Sequence, residues 1–275
     1  SYNGSYRLRE APRSAGSGIQ TYNMQRGTSY GASVDFTDAD NYWNNVNANE
    51  DQYATDAHYA AEMTYDFFYN NYGRNSIDNN GLLLKLYVHY STNYYNAYWD
   101  GSVMTFGDGD ATVTPLTTLD ITGHEISHGL TDYTAALNYQ DESGALNESF
   151  SDIFGTAIEY FATPAQSNWT MGEDIGDIIR SMSNPNTYQQ PDCYTGTYWY
   201  TGTGDNGGVH TNSGVQNYWY YLLCQGGSGT NDKGNAFNVT GIGRTKANAI
   251  SFRNLTVYLT ASSNYADARF YALQS

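Results

Sequence analysis

Two periodicities divide this chain near its middle, and they limit what it can fold into. From about Leu119 onward the apolar residues recur at helical spacing, over Leu119–Thr134, Ala145–Ala162, Ser213–Leu223 and Gly243–Leu259. Before that point most segments read as strands. Residues 1–50 carry alternating and aromatic pieces broken by Gly, Asn and Asp, which predicts a twisted antiparallel sheet with wide loops. A single helical stripe, Ala57, Tyr59, Ala60, Met63, Phe67 and Phe68, runs between Ala54 and Tyr72. Leu82–Tyr90 reads as a strand, and the stretch after it as a hairpin turning at Asp100-Gly101. Strands first and helices later predict an α+β fold. Residues 1–135 form its sheet-rich N-terminal lobe, ending in a helix, and residues 136–275 its mainly helical C-terminal lobe.

Charge narrows the classes of partner. The 275 residues carry 28 acidic against 12 basic side chains, a net charge of −16. Binding to nucleic acid or an anionic membrane needs clustered Lys and Arg, so both are set aside. No apolar run approaches the ~20 residues of a membrane span. The opening Ser1-Tyr2-Asn3-Gly4 is polar and reads as the start of a mature, secreted product after removal of signal and pro-segment. Cys193 and Cys224 either close one disulfide or remain two thiols, and their spacing leaves both open.

The chemistry concentrates in Thr122-Gly123-His124-Glu125-Ile126-Ser127-His128, an H-E-x-x-H run inside a helical pattern. Four residues make just over one turn, so His124 and His128 project from one face and can share a metal. Glu125 sits roughly 100° round the helix from His124, where it can address a water instead of ligating. Neutral imidazoles suit zinc, which needs a third protein ligand and an open position when catalytic. Gly144–Asp152 (GALNESFSD) offers Glu148 for that place if the second helix runs back toward the first. Asp152, one turn further, is placed to accept the second ring N–H of a ligating His.

With these motifs in view the chain resembles the thermolysin family of neutral metallopeptidases. Asn96-Ala97-Tyr98-Trp99, HEISH, GALNESFSD, Arg180-Ser181-Met182 and Asp205-Asn206-Gly207-Gly208-Val209-His210 fall in the family's order and at about its spacings. The resemblance implies a two-lobed fold with the H-E-x-x-H helix between the lobes. It implies zinc on His124, His128 and Glu148, with Glu125 as general base and proton shuttle. It also implies that His210, oriented by Asp205, and Tyr139 stabilise the oxyanion. Asn96 and the Ala97 backbone would align an extended peptide, and Arg180 would hold a substrate carbonyl. Read alone, Arg180 is also suited to a structural ion pair with a nearby Asp.

The resemblance places Val113, Leu116, Ile121, Ile175 and Ile179 around the primed-side pocket. Their apolar character predicts cleavage on the amino side of hydrophobic residues. It also places Asp120, Glu159, Asn168 and Glu173 at a structural calcium site, hard oxygen donors being what Ca²⁺ takes. Thr170 stands where some members have a further Glu, Asp38 and Asp40 resemble another calcium loop, and the Asp174–Arg180 link lacks a third. One or two calcium ions are therefore expected. Against the family's pattern the chain starts after the first strands and stops at Leu273-Gln274-Ser275, before the last helices. That pattern reads as a cut chain, a nicked chain or one whose remainder is a separate chain, and as a monomer associated at most with a cleaved remainder of itself. Sequons at Asn147, Asn168, Asn238 and Asn254 read as chance in an Asn-rich sequence. The expected activity is that of a zinc endopeptidase acting on proteins and peptides. The rival readings are an aminopeptidase and a metal- or partner-binding remnant without turnover.

Overall fold

A computed structural model describes residues 4–10 and 12–275. The polar opening at Ser1–Asn3 lies outside the described residues. The chain separates into two compact units, one running to Gly129 and taking in Gly172–Asp177, the other comprising Leu130–Met171 and Ile178–Ser275. Among the described residues no helix is long and apolar enough to cross a membrane.

The first unit holds strands β1 (Tyr6–Arg7), β2 (Ile19–Asn23), β3 (Val34–Asp35) and β4 (Thr37–Asp38), helix α1 (Asp51–Tyr72), strands β5 (Leu84–Tyr90), β6 (Ala97–Trp99) and β7 (Met104–Gly107), and most of helix α2 (Leu119–Asp132). Five of the strands form one sheet in the order β3-β2-β5-β7-β6. Within residues 1–50 the strands pair antiparallel, as expected, but in two separate sheets, and the larger sheet is mixed. β1 pairs antiparallel with β4 and β3 with β2, but β2 runs parallel to β5, as β5 does to β7. The reason lies in the connection: parallel neighbours need a long crossover, and α1 supplies one. The hairpin predicted at Asp100-Gly101 is present. β6 and β7 pair antiparallel, and Asp100 Oδ1 accepts the backbone N–H of Ser102 and Val103 at 2.8 and 2.9 Å. β6 is left at the edge of the sheet.

Helix α1 begins three residues before the apolar stripe does and buries Ala54, Ala57, Ala60, Ala61, Phe67 and Phe68. On the same side, spaced i, i+4 and i+3 with Ala54 and Ala61, His58 is buried, its Nδ1 2.8 Å from Thr21 Oγ1 of β2. The strand β5 alternates inward Leu84, Leu86 and Val88 with half-buried Lys85 and Tyr87. His89 breaks the alternation: its φ is 60°, the β5–β7 register shifts between Tyr87 and Tyr90, and its ring turns into the protein. Residues 172–177 belong with this unit because Gly172 N donates to Asp120 Oδ2 at 2.6 Å and Thr114 N to the Ile175 carbonyl at 3.0 Å.

The second unit is built on helix α3 (Asp141–Ala162), buried without interruption from Gly144 to Glu159. A helix buried all round must be central to its unit. Around it lie the ribbon β8 (Thr170–Met171) and β9 (Arg180–Ser181), helices α4 (Asp205–Asn212) and α5 (Gly214–Gln225), the hairpin β10 (Gly227–Thr230) and β11 (Ala236–Val239), and helices α6 (Arg244–Arg253) and α7 (Tyr265–Ala272). The helix expected over Gly243–Leu259 is α-helical only to Arg253 and continues as a π-turn over Asn254–Tyr258. There the buried Asn254 side chain donates to the Ala268 carbonyl at 2.9 Å, tying the turn to α7. Cys193 and Cys224 are both free thiols, which decides the open question of a disulfide between them. Asn147 and Asn254 are 4% and 1% exposed, too deeply buried to accept a glycan.

Burial lowers the His58 imidazolium's pKa to about 4, with Arg13 adding to the effect. The unfolded chain binds this proton near pH 6.5, so between about pH 6.5 and 4 it holds more protons than the folded form and stability falls with pH. His58 contributes about 3 kcal/mol to that loss, its full stabilisation being present above pH 6.5. Urea unfolding across this range should show a shallower pH slope for His58→Gln than for the parent; equal slopes would remove His58 from the account.

Candidate active site

Helix α2 presents the histidines as its periodicity requires. The Nε2 atoms of His124 and His128 lie 2.9 Å apart, with ring centroids at 4.6 Å and ring planes at 82°. Two imidazole nitrogens facing each other at that distance leave room for one positive centre, which both lone pairs can bind. Glu125 is 8% exposed, and its Oε2 accepts the Trp99 backbone N–H of β6 at 3.1 Å. That contact was invisible in the sequence, since it uses a main-chain donor.

In the second unit a matching set forms around α3. Glu148, 1% exposed, accepts a hydrogen bond from Tyr139 Oη through Oε1, and the same oxygen lies 3.4 Å from His210 Nε2. Tyr139 Oη is 3.3 Å from His210 Nε2. Asp205 Oδ1 bonds His210 Nδ1 at 2.6 Å, and its Oδ2 accepts the His210 backbone N–H at 3.0 Å. The carboxylate therefore holds a proton on Nδ1 and orients the ring. Left-handed backbone at Asn206, Gly207 and Gly208 makes this possible. A Cβ on Gly207 would lie 2.0 Å from Asp141 Oδ1, so only glycine lets this turn approach the start of α3.

Asp152, one turn beyond Glu148, is wholly buried. Its carboxylate takes a two-point ion pair from Arg180, Nε to Oδ2 at 2.9 Å and Nη2 to Oδ1 at 2.7 Å. Asn217 of α5 donates to Oδ2 at 2.7 Å and accepts the Ser149 hydroxyl at 2.7 Å. The ion-pair reading of Arg180 is thus realised. Asn217 was missed, because one Asn in an Asn-rich chain carries no signal of its own.

Of the remaining predicted residues, Ala97 is buried in the edge strand β6 and Asn96 accepts the Gly107 N–H at 3.0 Å. Val113, Leu116, Ile121 and Ile175 are all buried in the first unit, and the Thr114–Ile175 hydrogen bond holds two of their loops together. Ile179 belongs to the second unit, where it is half-buried. Asp120 and Glu173 share the first unit, and burial pushes the Asp120 carboxyl above the usual range, with Glu173 adding to the push. Glu159 is buried in the second unit, and Asn168 Oδ1 accepts the Thr170 N–H at 2.7 Å. Asp38 uses Oδ1 for the N–H groups of Asp40, Asn41 and Tyr42 and Oδ2 for Asn45, so its loop supplies its own donors.

Two family descriptions match the sequence: thermolysin metallopeptidase, catalytic domain, over residues 1–132, and thermolysin metallopeptidase, alpha-helical domain, over residues 135–275. The chain belongs to the thermolysin family of metallopeptidases. It is 46% identical over 278 residues to a bacillolysin of Brevibacillus brevis, covering 98% of this chain and 49% of that protein. It is also 46% identical over 283 residues to the thermolysin of Alicyclobacillus acidocaldarius and to the thermostable neutral protease NprT of Geobacillus stearothermophilus, covering 100% of this chain and 49% of each. The chain spans about half the length of the curated relatives it matches. Among solved structures it is similar to the precursor of protealysin, a metalloproteinase from Serratia proteamaculans, with a TM-score of 0.75 and 30% identity over 93% of this chain and 80% of that one. The thermolysin-like fold follows from this match and from the two family domains.

Removing one partner of the buried Asp152–Arg180 pair leaves a charge without compensation. Arg180→Met should lower the unfolding free energy by about 3–5 kcal/mol in urea melts. A loss below about 1 kcal/mol would mean that solvent already screens the pair as it does at a surface.

Proposed function

We propose that this chain is the catalytic part of a secreted, zinc-dependent neutral endopeptidase that cleaves peptide bonds on the amino side of hydrophobic residues. The observation that carries the reading is the facing pair of His124 and His128 nitrogens on a helix whose Glu125 is anchored through one oxygen by the Trp99 N–H. His124, His128 and Glu148 would hold the zinc, each offering one donor atom. The donor set fits: two imidazoles and one carboxylate are three ligands with a position to spare. Bound zinc supplies a Lewis acid and brings a water's pKa toward ~7.

The protein's residues supply the proton traffic and the charge stabilisation. Glu125 would take a proton from the attacking water and return it to the leaving amine, its second oxygen remaining anchored by Trp99. Tyr139, and His210 through Nε2 when that nitrogen also carries a proton, would donate to the oxygen that becomes negative in the tetrahedral intermediate, and Asp205 keeps the His210 ring oriented for this. Asp152 would in addition accept a ring N–H from a ligating histidine. The open edge of β6 supports alignment of an extended peptide along Asn96 and Ala97. Val113, Leu116, Ile121, Ile175 and Ile179 would line the primed-side pocket. Arg180 is engaged by Asp152, so its contact with a substrate carbonyl would be secondary to that pair.

An end-blocked peptide containing Gly-Leu or Gly-Phe tests the reading. The parent should cleave before the hydrophobic residue and stop with a zinc chelator. Glu125→Gln should keep its zinc and lose about 10²–10⁴-fold in kcat. His210→Ala should lose about 10²–10³-fold. A parent that binds zinc but cleaves only peptides with a free amine would favour the aminopeptidase reading, and one that cleaves neither would end the enzymatic one.

One structural calcium on Asp120, Glu159, Asn168 and Glu173 completes the proposal. Its support is a buried carboxyl, Asp120, beside a second acid, Glu173, a pairing that a divalent cation relieves. Calcium chelation should shorten the half-life of thermal inactivation, and Asp120→Asn should abolish that sensitivity. Asp38 and Asp40 are left out because their loop already provides Asp38's donors.

A further inference from the structure

Two groupings of titratable side chains lie apart from the residues above, and they differ in what neutralises them. In the first unit Glu50, His89 and Asp108 each offer a ligand atom within 4.8 Å of the others. There the protein supplies its own cation: Arg26 reaches Glu50 Oε2 at 2.5 Å and Asp108 Oδ2 at 3.0 Å. In the second unit Asp192, Cys193 and Asp232 form a grouping of the same size, with a thiol in place of the imidazole. Among the described residues no Arg or Lys is ion-paired with either of its carboxylates. Lys233, next to Asp232, instead directs Nζ to Thr195 Oγ1 at 2.6 Å.

We propose that Cys193, Asp192 and Asp232 form a further metal site, for a thiophilic divalent cation such as zinc or cadmium, which clips the β10–β11 hairpin tip to the loop of residues 184–199.

The two segments are already registered for this. Asp232 N donates to Asp192 Oδ1 at 3.0 Å, and Asp192 N faces Asp232 Oδ2 at 3.4 Å. Asn186 Nδ2 and Thr197 N reach Asp232 at 2.7 and 3.0 Å. Gly196 packs so closely that a Cβ there would lie 2.7 Å from Asp232 Oδ2. A carboxylate has about four lone-pair directions, so Asp232 retains one after these contacts. Cys193 is a free thiol within ligand reach of both carboxylates. A divalent ion would take it as thiolate. The S–H bond breaks, sulfur's electron pair forms the metal bond, and the proton leaves to solvent; no redox partner is needed.

Zinc takes sulfur at about 2.3 Å and carboxylate oxygen at about 2.0–2.2 Å, so the donors must draw in by roughly 1 Å. All three side chains are only half-buried and can move that far. A water fills the fourth position. The sulfur distinguishes this site from a calcium loop, because thiolate selects zinc and its softer relatives over oxygen-seeking ions.

Cadmium is the probe, because thiolate-to-cadmium charge transfer absorbs in the near ultraviolet and is blind to turnover and to sulfur-free sites. Zinc-loaded, reduced protein titrated with cadmium should develop this absorbance, saturating at one equivalent. Cys193→Ser should abolish it, and Cys224→Ser should leave it. Asp232→Asn keeps the thiol but should weaken cadmium at least 10-fold, which separates a built site from a solvent thiol even if the Cys193 variant folds poorly. No absorbance in the parent with Cys193 titrating as a thiol would overturn the proposal. So would a signal that follows Cys224, or one indifferent to Asp232→Asn.

Discussion

Asp152 is a carboxylate with no exposed surface, and much of the second unit is arranged to keep it charged. A lone buried charge would cost several kcal/mol or take up a proton. Arg180 comes from β9 and Asn217 from α5 to prevent this, so the carboxylate fixes α3 against both. Glu148 lies one turn earlier on the same helix and inherits that rigidity. Its contacts with Tyr139 Oη and His210 Nε2, which also approach each other, then gather a phenol and an imidazole against a buried acid. The precision of such a site depends on the residues that hold its holders.

The first unit solves a different problem with main chain. One oxygen of Glu125 is anchored by the Trp99 N–H, which the β6–β7 hairpin positions. The hairpin is itself pinned by Asp100, whose carboxylate closes the turn. β6 is last in the sheet, the position at which another strand can add, and the Glu125 carboxylate already takes its Trp99 N–H. His89 shows the cost of fitting a buried polar group into a strand: a left-handed residue, a register shift and a hydrogen bond to Asp108 attend it.

How legible the chain was varied with the range of the interaction. Helices α1, α2, α3 and α5 were readable because their stripes are local, and the errors at their ends were a few residues. The direction of β2 was not readable, since alternation is the same in parallel and antiparallel strands and only the α1 crossover decides. The change from α to π at Asn254 rests on a hydrogen bond to Ala268, fourteen residues away. Cys193 and Cys224 gave no sign of whether they meet. Arg180 was read both as a substrate contact and as an ion pair, and only the fold brought Asp152 to it.

By itself, then, the sequence determined the helix-borne His124, Glu125 and His128, the Glu148–Asp152 spacing, the Asp205-to-His210 turn and the family they signal. Each of these is set within a few residues by helical pitch or by glycine, which is why one-dimensional text can carry it. The tertiary structure alone decided the mixed sheet and the main-chain anchor on Glu125. It also decided the Arg180–Asp152–Asn217 network, and which of two acidic groupings already holds a cation of the protein's own. Those depend on burial and on partners tens of residues apart, where a charge or an N–H acquires its meaning from what the fold places beside it.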